Sequence, residues 1–338
     1  MILYENRSLK KYNTFGIEAS ARYFLELNSI ADISNFILEK KFKNTPQLVI
    51  GGGSNLLLTK NFDGIVLKNN LTGITCVDEN EEHVYVKSFA GEVWHNFVLF
   101  CIQNTYAGIE NLSLIPGCVG ASPMQNIGAY GVEIKDVFYE LEAMNLEDAT
   151  VSKFSSAECE FGYRESVFKH KLKNKFIIIS VTFRLNKNPK FNTSYGAIEK
   201  ELDAMQVKDI SIAAISKAVC NIRSSKLPNP AEIGNAGSFF KNPVVQTQKF
   251  EQLKKQFPDL VGYQNSEVET KLAAGWLIEQ CGWKGYRKGD VGCHEKQALV
   301  LVNYGHAIGE EILQLSEKII DSVKLMFDVE LHREVNIV

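Results

Sequence analysis

The stretch with the strongest chemical signal is 115–131, IPGCVGASPMQNIGAYG, which has four glycines, two prolines and no charged side chain. Glycine lets backbone N–H groups approach a ligand closely and adopt a positive φ. A run of such N–H groups binds anions, so a pyrophosphate is the first ligand that the stretch indicates. The interleaved Ile115, Val119, Met124 and Ile127 favour an ordered loop over a linker. A buried structural turn is the alternative, and this stretch alone leaves both open.

A second glycine-rich segment, GGGSN at 51–55, lies earlier in the chain. The apolar run before it and the two runs after it all predict short strands. A doubly wound dinucleotide fold needs a helix after the glycines and a G-x-G-x-x-G motif, and the sequence has neither. A P-loop is excluded as well, because no G-K-S or G-K-T occurs. Two glycine-rich loops between strands therefore favour a pyrophosphate-containing cofactor that is held by backbone groups without a helix N-terminus.

Composition excludes several classes of function. At 338 residues the chain is long enough for two or three hydrophobic cores. The net charge of −3 gives no electrostatic case for a nucleic-acid partner, and no apolar run is long enough to span a membrane. The seven cysteines form no C-x-x-C and the six histidines no H-x-x-x-H, so we expect neither disulfides nor a metal site. The N-terminal residues are too polar for a secretory signal, and we expect a cytoplasmic protein.

Hydrophobic periodicity predicts the elements that position these loops. Helices are predicted at 29–42, 91–106, 209–225, 270–281 and 309–327, and strands at 46–50, 56–59, 64–68, 84–89, 141–146, 176–185 and 329–338. Ser29 is the expected N-cap of the first helix. The two prolines of KLPNP, residues 226–230, predict a domain boundary. Alternation in the last strand puts Glu334 on its polar face.

Short motifs in a fixed order along the chain resemble those of the UDP-N-acetylenolpyruvoylglucosamine reductases. They are NTFGI at 13–17, GGGSNLLL at 51–58, the 115–131 loop, FGYRES at 161–166, RSSKLPNP at 223–230, AGSFFKNP at 236–243 and KLAAGWLIEQCGWKG at 271–285. The resemblance covers nearly the whole chain. It implies an α+β protein with a vanillyl-alcohol-oxidase-like (PCMH-type) FAD-binding fold of two subdomains and a C-terminal α+β substrate domain. The implied divisions are 1–69, with 330–338 returning to it, then 70–225, and the substrate domain at 226–329.

The same resemblance implies an activity and its cofactors. The family reduces the enolpyruvyl ether of UDP-N-acetylglucosamine to UDP-N-acetylmuramate, a peptidoglycan precursor, with FAD and NADPH. We therefore expect non-covalent FAD, NADPH as co-substrate and a UDP-sugar substrate, in a monomer without nucleic-acid partner, membrane insertion or metal. The resemblance assigns FAD contacts to Gly51, Gly52, Gly53, Ser54, Asn55, Pro116, Gly117, Gly120, Ala121, Ser122, Gln125, Asn126, Gly128, Ala129, Tyr130 and Gly131.

Reduction of the double bond needs a hydride at one carbon, a proton at the other and stabilisation of the enolate. By the resemblance Ser238 is the general acid, although local sequence alone favours a turn serine. The planar fork of Arg164 suits the substrate carboxylate, and a surface ion pair is the alternative. Glu334 matches a glutamate that works with this arginine on the enolate. Because a bare anion there would repel the enolate, we expect Glu334 to be protonated or tightly hydrogen-bonded.

Further residues match positions that hold the sugar nucleotide. Lys226 suits the diphosphate of the substrate, and Asn242 matches a further substrate contact. Tyr195 matches a tyrosine loop that closes over the substrate in the longer subtype of the family. Tyr263 and Gln297 are additional candidates. Two other functions stay open. An alcohol oxidase of the same fold would turn over with oxygen, and a non-catalytic sugar-nucleotide-binding protein would be colourless.

Overall fold

The computed structural model describes residues 1–338, and the chain divides into two compact units. The first unit comprises Met1–Arg7, Ala21–Gly52 and Asp63–Ser225, and the second comprises Ser8–Ser20, Gly53–Phe62 and Lys226–Val338. One boundary falls directly before the two prolines of KLPNP. Two short N-terminal segments group with the C-terminal residues rather than with the rest of 1–69. The assignment of cofactor and substrate to the predicted divisions stays a prediction.

The elements form an α+β fold. The strands are β1 (Leu3–Ser8), β2 (Ser20–Leu27), β3 (Gln47–Ile50), β4 (Leu56–Leu57), β5 (Phe62–Asn69), β6 (Ile74–Glu79), β7 (His83–Phe89), β8 (Gly128–Ala129), β9 (Val132–Glu133), β10 (Phe138–Asn145), β11 (Val151–Ser155), β12 (Phe176–Asn186), β13 (Gly234–Asn235), β14 (Val244–Gln246), β15 (Gly262–Gln264), β16 (Glu269–Leu272), β17 (Arg287–Lys288), β18 (Val291–Cys293), β19 (Leu301–Asn303) and β20 (Asn336–Ile337). The helices are α1 (Ile30–Leu38), α2 (Trp94–Gln103), α3 (Gly196–Ala204), α4 (Ile212–Lys226), α5 (Thr247–Gln256), α6 (Ala274–Gln280) and α7 (Gly309–Phe327). None of these helices combines the length and apolarity that a membrane span requires.

Two sheets build the first unit. One has the strand order β1-β2-β5-β3, with β3 and β5 parallel, and the other is antiparallel with the order β11-β10-β12-β7-β6. Helix α1 buries Ile33 and Phe36 in a core that also contains Ile177 and Ile179 of β12. Val181 and Phe183 of the same strand belong to a second core with α2. Because the first part of β12 lies between two cores, residues 176–179 are a continuous apolar run, whereas residues 180–186 alternate between polar and apolar side chains.

The second unit contains the sheets β13-β19-β18-β17 and β14-β16-β15 and the parallel pair β20-β4. Helix α7 packs against β18 and β19. It buries Ile312, Leu315, Ile319, Val323 and Phe327, which recur at helical spacing. Most of its exposed residues are polar, with Leu325 and Met326 as exceptions. The apolar spacing of 309–327 predicts a buried stripe of Ile312, Leu315, Ile319, Val323 and Met326. The first four are buried as predicted, whereas Met326 is 47% exposed.

Two predicted elements are wrong. The helix predicted at 270–281 begins only at Ala274, because Glu269–Leu272 is a strand between β14 and β15. Pairing on both sides there overrides the local helical pattern. The strand predicted at 329–338 is reduced to Asn336–Ile337 and one isolated bridge between Arg333 and Phe240. Its alternation is nevertheless real, since Val329, Leu331 and Val335 are buried. The other predicted helices and strands are confirmed to within a few residues at their ends.

Helix α1 begins where the sequence predicts, since Ser29 caps it. The Asp32 N–H donates to Ser29 Oγ at 3.1 Å, and the Ser29 N–H donates to the Asp32 carboxylate at 3.0 Å. This capping box satisfies two backbone donors that the first turn leaves unpaired.

Replacing the cap should destabilise the first unit. We expect Ser29→Ala to lower the free energy of unfolding by about 0.5–2 kcal/mol, the usual cost of losing an N-cap side chain. Urea unfolding followed by circular dichroism measures the change. Ser29→Asp keeps an acceptor at the cap and should stay near the original midpoint; equal losses in both variants would contradict a role for the cap.

Candidate active site

The Gly51–Gly52 turn and the 115–131 loop meet backbone to backbone in the first unit. A Cβ on Gly52 would lie 3.1 Å from the Cα of Gly117, and one on Gly51 would lie 3.1 Å from the Cβ of Cys118. Any side chain at these two glycines would push the loops apart. Bare backbone from both loops therefore converges on one place, which fits a pyrophosphate bound by N–H groups.

The 115–131 loop is ordered, as predicted, because its middle is tied to the strand–helix connection before α2. The Val119 N–H donates to the Glu92 carbonyl at 2.8 Å, and the Gly120 N–H donates to the Ala90 carbonyl at 2.9 Å. The Val119 side chain is fully buried. A Cβ on Gly120 would lie 2.5 Å from that of Ala90, so this glycine is needed for close packing.

Some loop side chains that the sequence assigns to FAD are engaged within the protein. The Ser122 hydroxyl donates to the Val119 carbonyl at 2.7 Å, and the Asn126 amide donates to Glu133 and to the Gly162 carbonyl. Both side chains are buried. Their contribution to the loop is therefore to shape its backbone.

Cys118 lies at the contact of the two loops. Burial raises the pKa of its thiol, while nearby Lys68 and the Gly52 N–H oppose that rise. The group is a thiol at neutral pH, which is the poorly nucleophilic form.

Arg164 lies in a turn in the middle of the 161–166 motif, in the same unit. Its φ is +57°, an uncommon value for a residue with a side chain. The guanidinium donates from Nη2 to the Gly128 carbonyl at 2.6 Å and from Nη1 to the Asn126 carbonyl at 3.5 Å. Lys169 Nζ donates to the Arg164 carbonyl at 3.2 Å. The predicted catalytic arginine is thus held by the carbonyl side of the predicted FAD loop.

Tyr130 connects that loop to the segment that carries Tyr195. The two rings are 5.4 Å apart, edge to face, and Tyr195 is 44% exposed directly before helix α3. The Tyr130 hydroxyl is hydrogen-bonded to Arg223, whose Nε donates to the Leu114 carbonyl at 3.2 Å. Burial lowers the pKa of Arg223, and Tyr130 opposes the shift. The sequence analysis missed Arg223 as a single residue, although it begins the quoted motif at 223–230.

In the second unit, Ser238 and Glu334 lie on adjacent segments. The Glu334 N–H donates to the carbonyl of Phe239, the residue after Ser238, at 2.8 Å. Phe239 and Phe240 are buried and anchor the segment, whereas Ser238 itself is exposed next to Gly237, whose φ is +68°. Ser238 is therefore accessible to solvent.

The Gly53–Asn55 turn supports the Glu334 segment. Asn55 Nδ2 donates to the Glu334 carbonyl at 3.3 Å, and the Asn55 carbonyl accepts the Asn336 N–H at 3.1 Å. A Cβ on Gly53 would overlap the Tyr12 carbonyl oxygen. Asn55 and Glu334, predicted from different motifs, are therefore neighbours.

The terminal segment is also held by Arg333, which the sequence analysis missed. Its Nε donates to Ser316 Oγ on α7 at 2.8 Å, and its Nη2 lies 3.6 Å from the Glu317 carboxylate. The sequence contains one signal that could have indicated this residue: Arg333 directly precedes Glu334, a predicted catalytic residue.

The predicted substrate residues have different surroundings. Lys226 is the exposed last residue of α4, and Tyr263 is 47% exposed on β15. Asn242 Oδ1 accepts the Ala274 N–H at 3.0 Å and so caps α6, while Gln297 Oε1 accepts the Leu299 N–H at 3.3 Å. The two amides have structural bonds in addition to any role toward a ligand.

Comparison with known proteins gives one consistent result. The model of the UDP-N-acetylenolpyruvoylglucosamine reductase C-terminal domain matches residues 229–338, and that of an FAD binding domain matches residues 21–155. The chain is 50% identical over 339 residues to UDP-N-acetylenolpyruvoylglucosamine reductase of Flavobacterium johnsoniae, covering 100% of both. It is 48% identical over 333 residues to the Pseudomonas putida protein of that name, covering 98% of both.

A solved structure supports the fold. The UDP-N-acetylenolpyruvylglucosamine reductase from Thermus caldophilus matches with a TM-score of 0.66 and 22% identity, over 99% of this chain and 98% of that one. Together with the FAD-domain match, it confirms the predicted α+β architecture with a PCMH-type FAD-binding fold. FAD as the predicted cofactor is confirmed as well.

An added side chain at the contact of the two glycine-rich loops should weaken the binding of FAD. We expect Gly52→Ala to reduce the FAD retained per protein chain after gel filtration, because the added Cβ presses on Gly117. The ratio of flavin to protein absorbance measures retention. Gly196→Ala is the control, since a Cβ there meets nothing within 4 Å; unchanged retention in Gly52→Ala would contradict the importance of the contact.

Proposed function

The chain belongs to the UDP-N-acetylenolpyruvoylglucosamine reductase family, and from this premise we propose that it reduces the enolpyruvyl ether of UDP-N-acetylglucosamine with NADPH. The product is UDP-N-acetylmuramate, a peptidoglycan precursor. When bound, FAD would supply two-electron hydride-transfer chemistry between NADPH and the enolpyruvyl substrate. The two glycine-rich loops would hold FAD, and residues 226–329 would bind most of the sugar nucleotide.

The observation that carries this proposal is the bond between the Glu334 N–H and the Phe239 carbonyl. It fixes an exposed hydroxyl and a carboxylate on neighbouring backbone segments, each anchored by buried residues. General acid catalysis needs a donor held in place beside groups that tune its acidity. An ordinary turn serine would not require such anchoring.

Ser238 donates the proton in this mechanism. As hydride reaches the methylene carbon of the enolpyruvyl group, the hydroxyl proton passes to the carbon that bears the carboxylate. The alkoxide left on Ser238 regains a proton from water. The hydride, which carries two electrons, and the proton together account for the reduction of the C=C bond.

Arg164 and Glu334 act on the charge that develops during this transfer. The guanidinium presents a planar set of donors that matches the substrate carboxylate, and the negative charge of the enolate spreads onto that carboxylate. Glu334 contributes orientation when its carboxyl group is protonated or hydrogen-bonded. Lys226 suits the diphosphate, with Tyr195, Asn242, Tyr263 and Gln297 as further substrate contacts.

Removal of the Ser238 hydroxyl should separate the two half-reactions. Reduction of FAD by NADPH uses no proton from Ser238, so Ser238→Ala should keep that rate within a few-fold. Reoxidation by the enolpyruvyl substrate should slow by about 10²–10⁴-fold or more. Stopped-flow absorbance at the flavin band follows both steps, and Ser238→Cys should recover part of the loss because a thiol is also a donor.

The same traces decide between this function and its competitors. Reoxidation of Ser238→Ala by substrate at the original rate would make the serine structural. Reoxidation of the unmodified protein by oxygen and an alcohol, but not by the enolpyruvyl substrate, would favour an oxidase. A colourless protein that binds UDP-sugars would favour a binding protein.

FAD should be bound without a covalent bond. Neither glycine-rich loop contains histidine, and burial raises the pKa of the Cys118 thiol, which leaves little thiolate to attack the flavin. After acid precipitation we expect the yellow colour in the supernatant. Colour that stays with the pellet of the unmodified protein, and not with that of Cys118→Ser, would identify a cysteinyl link.

A further inference from the structure

We propose that Asn126 is a positioning residue for Arg164 rather than a side-chain ligand of FAD. This inference rests on the proposed function, because it concerns the step in which Arg164 acts on the substrate. It assigns to one buried amide the task of joining the loop that receives the guanidinium to the turn that carries the arginine.

The Asn126 side chain is enclosed and fully used within the protein. It is 0% exposed. Its Nδ2 donates one hydrogen to Glu133 Oε2 and the other to the Gly162 carbonyl, both at 3.0 Å, and its Oδ1 accepts the Lys135 N–H at 3.1 Å. An amide has only two hydrogens to donate. No hydrogen of this side chain is left for a cofactor.

These bonds reach both supports of Arg164. On one side, the guanidinium donates to the carbonyls of Gly128 and of Asn126 itself. On the other, the Gly162 carbonyl that accepts from Asn126 belongs to the turn that Gly162 and Glu165 close with two backbone bonds, at 3.1 and 3.3 Å. Arg164 lies inside that turn. The Asn126 side chain therefore holds both the turn that carries Arg164 and the loop whose carbonyls accept from its guanidinium.

The hydrogen bonds of Asn126 are needed because the backbone at both Asn126 and Arg164 has an unfavourable conformation. Asn126 and Arg164 have φ values of +42° and +57°. Asparagine adopts such values more readily than most residues, whereas an arginine there is strained and persists only when its surroundings over-determine it. Removal of the amide would let the turn relax and shift the guanidinium. A displacement of about 1 Å in a positioning group can cost 10²-fold in rate.

Charge explains why the position requires an amide and not an acid. Glu133 Oε2 already accepts from Lys135 Nζ at 2.8 Å, and its second partner is the Asn126 N–H. In Asn126→Asp a carboxylate of nearly the same shape would face that carboxylate and the Gly162 carbonyl. The change conserves volume and removes both donors, so it tests the hydrogen bonds separately from packing.

The experiment compares Asn126→Ala and Asn126→Asp with Asn69→Ala as protein with FAD bound. Asn69 is a matched control in the same unit: it is 4% exposed, its Nδ2 donates to the Ile178 carbonyl at 2.9 Å and its Oδ1 accepts the Leu71 N–H at 3.1 Å. We expect both Asn126 variants to retain FAD and to be reduced by NADPH within about threefold of the original rate. Reoxidation by the enolpyruvyl substrate should slow by about 10²-fold in both, and in Asn69→Ala it should not.

Two further measurements separate positioning from a general structural role. If Asn126 acts through Arg164, adding Asn126→Ala to Arg164→Lys should cause little further loss, because the two changes disable one function. NMR of ¹⁵N-labelled arginine side chains gives a readout that needs no turnover. The Arg164 Nε–Hε signal, assigned by its absence in Arg164→Lys, should shift and narrow in Asn126→Ala and stay in place in Asn69→Ala.

Each outcome decides. Loss of FAD from both Asn126 variants would show that the residue serves the cofactor loop and would overturn the proposal. So would normal reoxidation, multiplicative losses in the double variant, or an unmoved Arg164 signal. Failure of the unmodified protein to be reoxidised by the enolpyruvyl substrate would instead refute the proposed function, and the NMR result would still show whether Asn126 holds Arg164.

Discussion

The first unit depends on the contact of two glycine backbones, Gly52 and Gly117, which are so close that a Cβ on Gly52 would lie 3.1 Å from the Cα of Gly117. Glycine-rich sequence in a loop usually costs order, because each glycine has more conformations to lose on folding. Here the cost is offset by bonds from the loop to Ala90 and Glu92 and by the buried Val119. The result is an ordered backbone at whose point of contact Cys118 contributes the nearest side chain. A phosphate can approach such a surface closely, and a helix N-terminus is not needed to attract it.

In the second unit, too, main-chain hydrogen bonds position residues of the predicted site. Ser238 and Glu334 are almost 100 residues apart in the sequence, and a backbone bond at Phe239 makes them neighbours. Asn55 donates to the Glu334 carbonyl, and Arg333, the residue before Glu334, donates to a serine of α7. The two predicted catalytic residues therefore lie on irregular segments, and backbone hydrogen bonds between these segments set their position. Irregular segments of this kind can place a side chain at an angle that a regular strand would not allow.

The sequence predicted the regular part of the fold well and the irregular part poorly, for physical reasons. Helices α1 and α7 follow from Ser29 and from an apolar stripe, since both signals are local. The 270–281 prediction was wrong because cross-strand pairing, which depends on distant residues, made a strand of Glu269–Leu272. The terminal strand failed likewise, since bonds to Phe239 and Lys241 replace a ladder. Site residues in motifs were found by resemblance. Arg223 and Arg333 were not, since their importance lies in hydrogen bonds to distant residues.

Three residues with a positive φ lie at the predicted site of the first unit, although others occur elsewhere in that unit. Asn126, Tyr130 and Arg164 all have positive φ, at +42°, +50° and +57°, and all three belong to the glycine-rich loop or contact it. A conformation that is unfavourable in isolation persists only if surrounding bonds hold it. Asn126 is held by three side-chain bonds, Tyr130 by Arg223, and Arg164 by two loop carbonyls and Lys169. Because these residues hold one another, their arrangement is cooperative, and disturbing one should be felt by the others. A loop built in this way presents bare backbone where it meets Gly52 and holds the guanidinium of Arg164 through its own carbonyls.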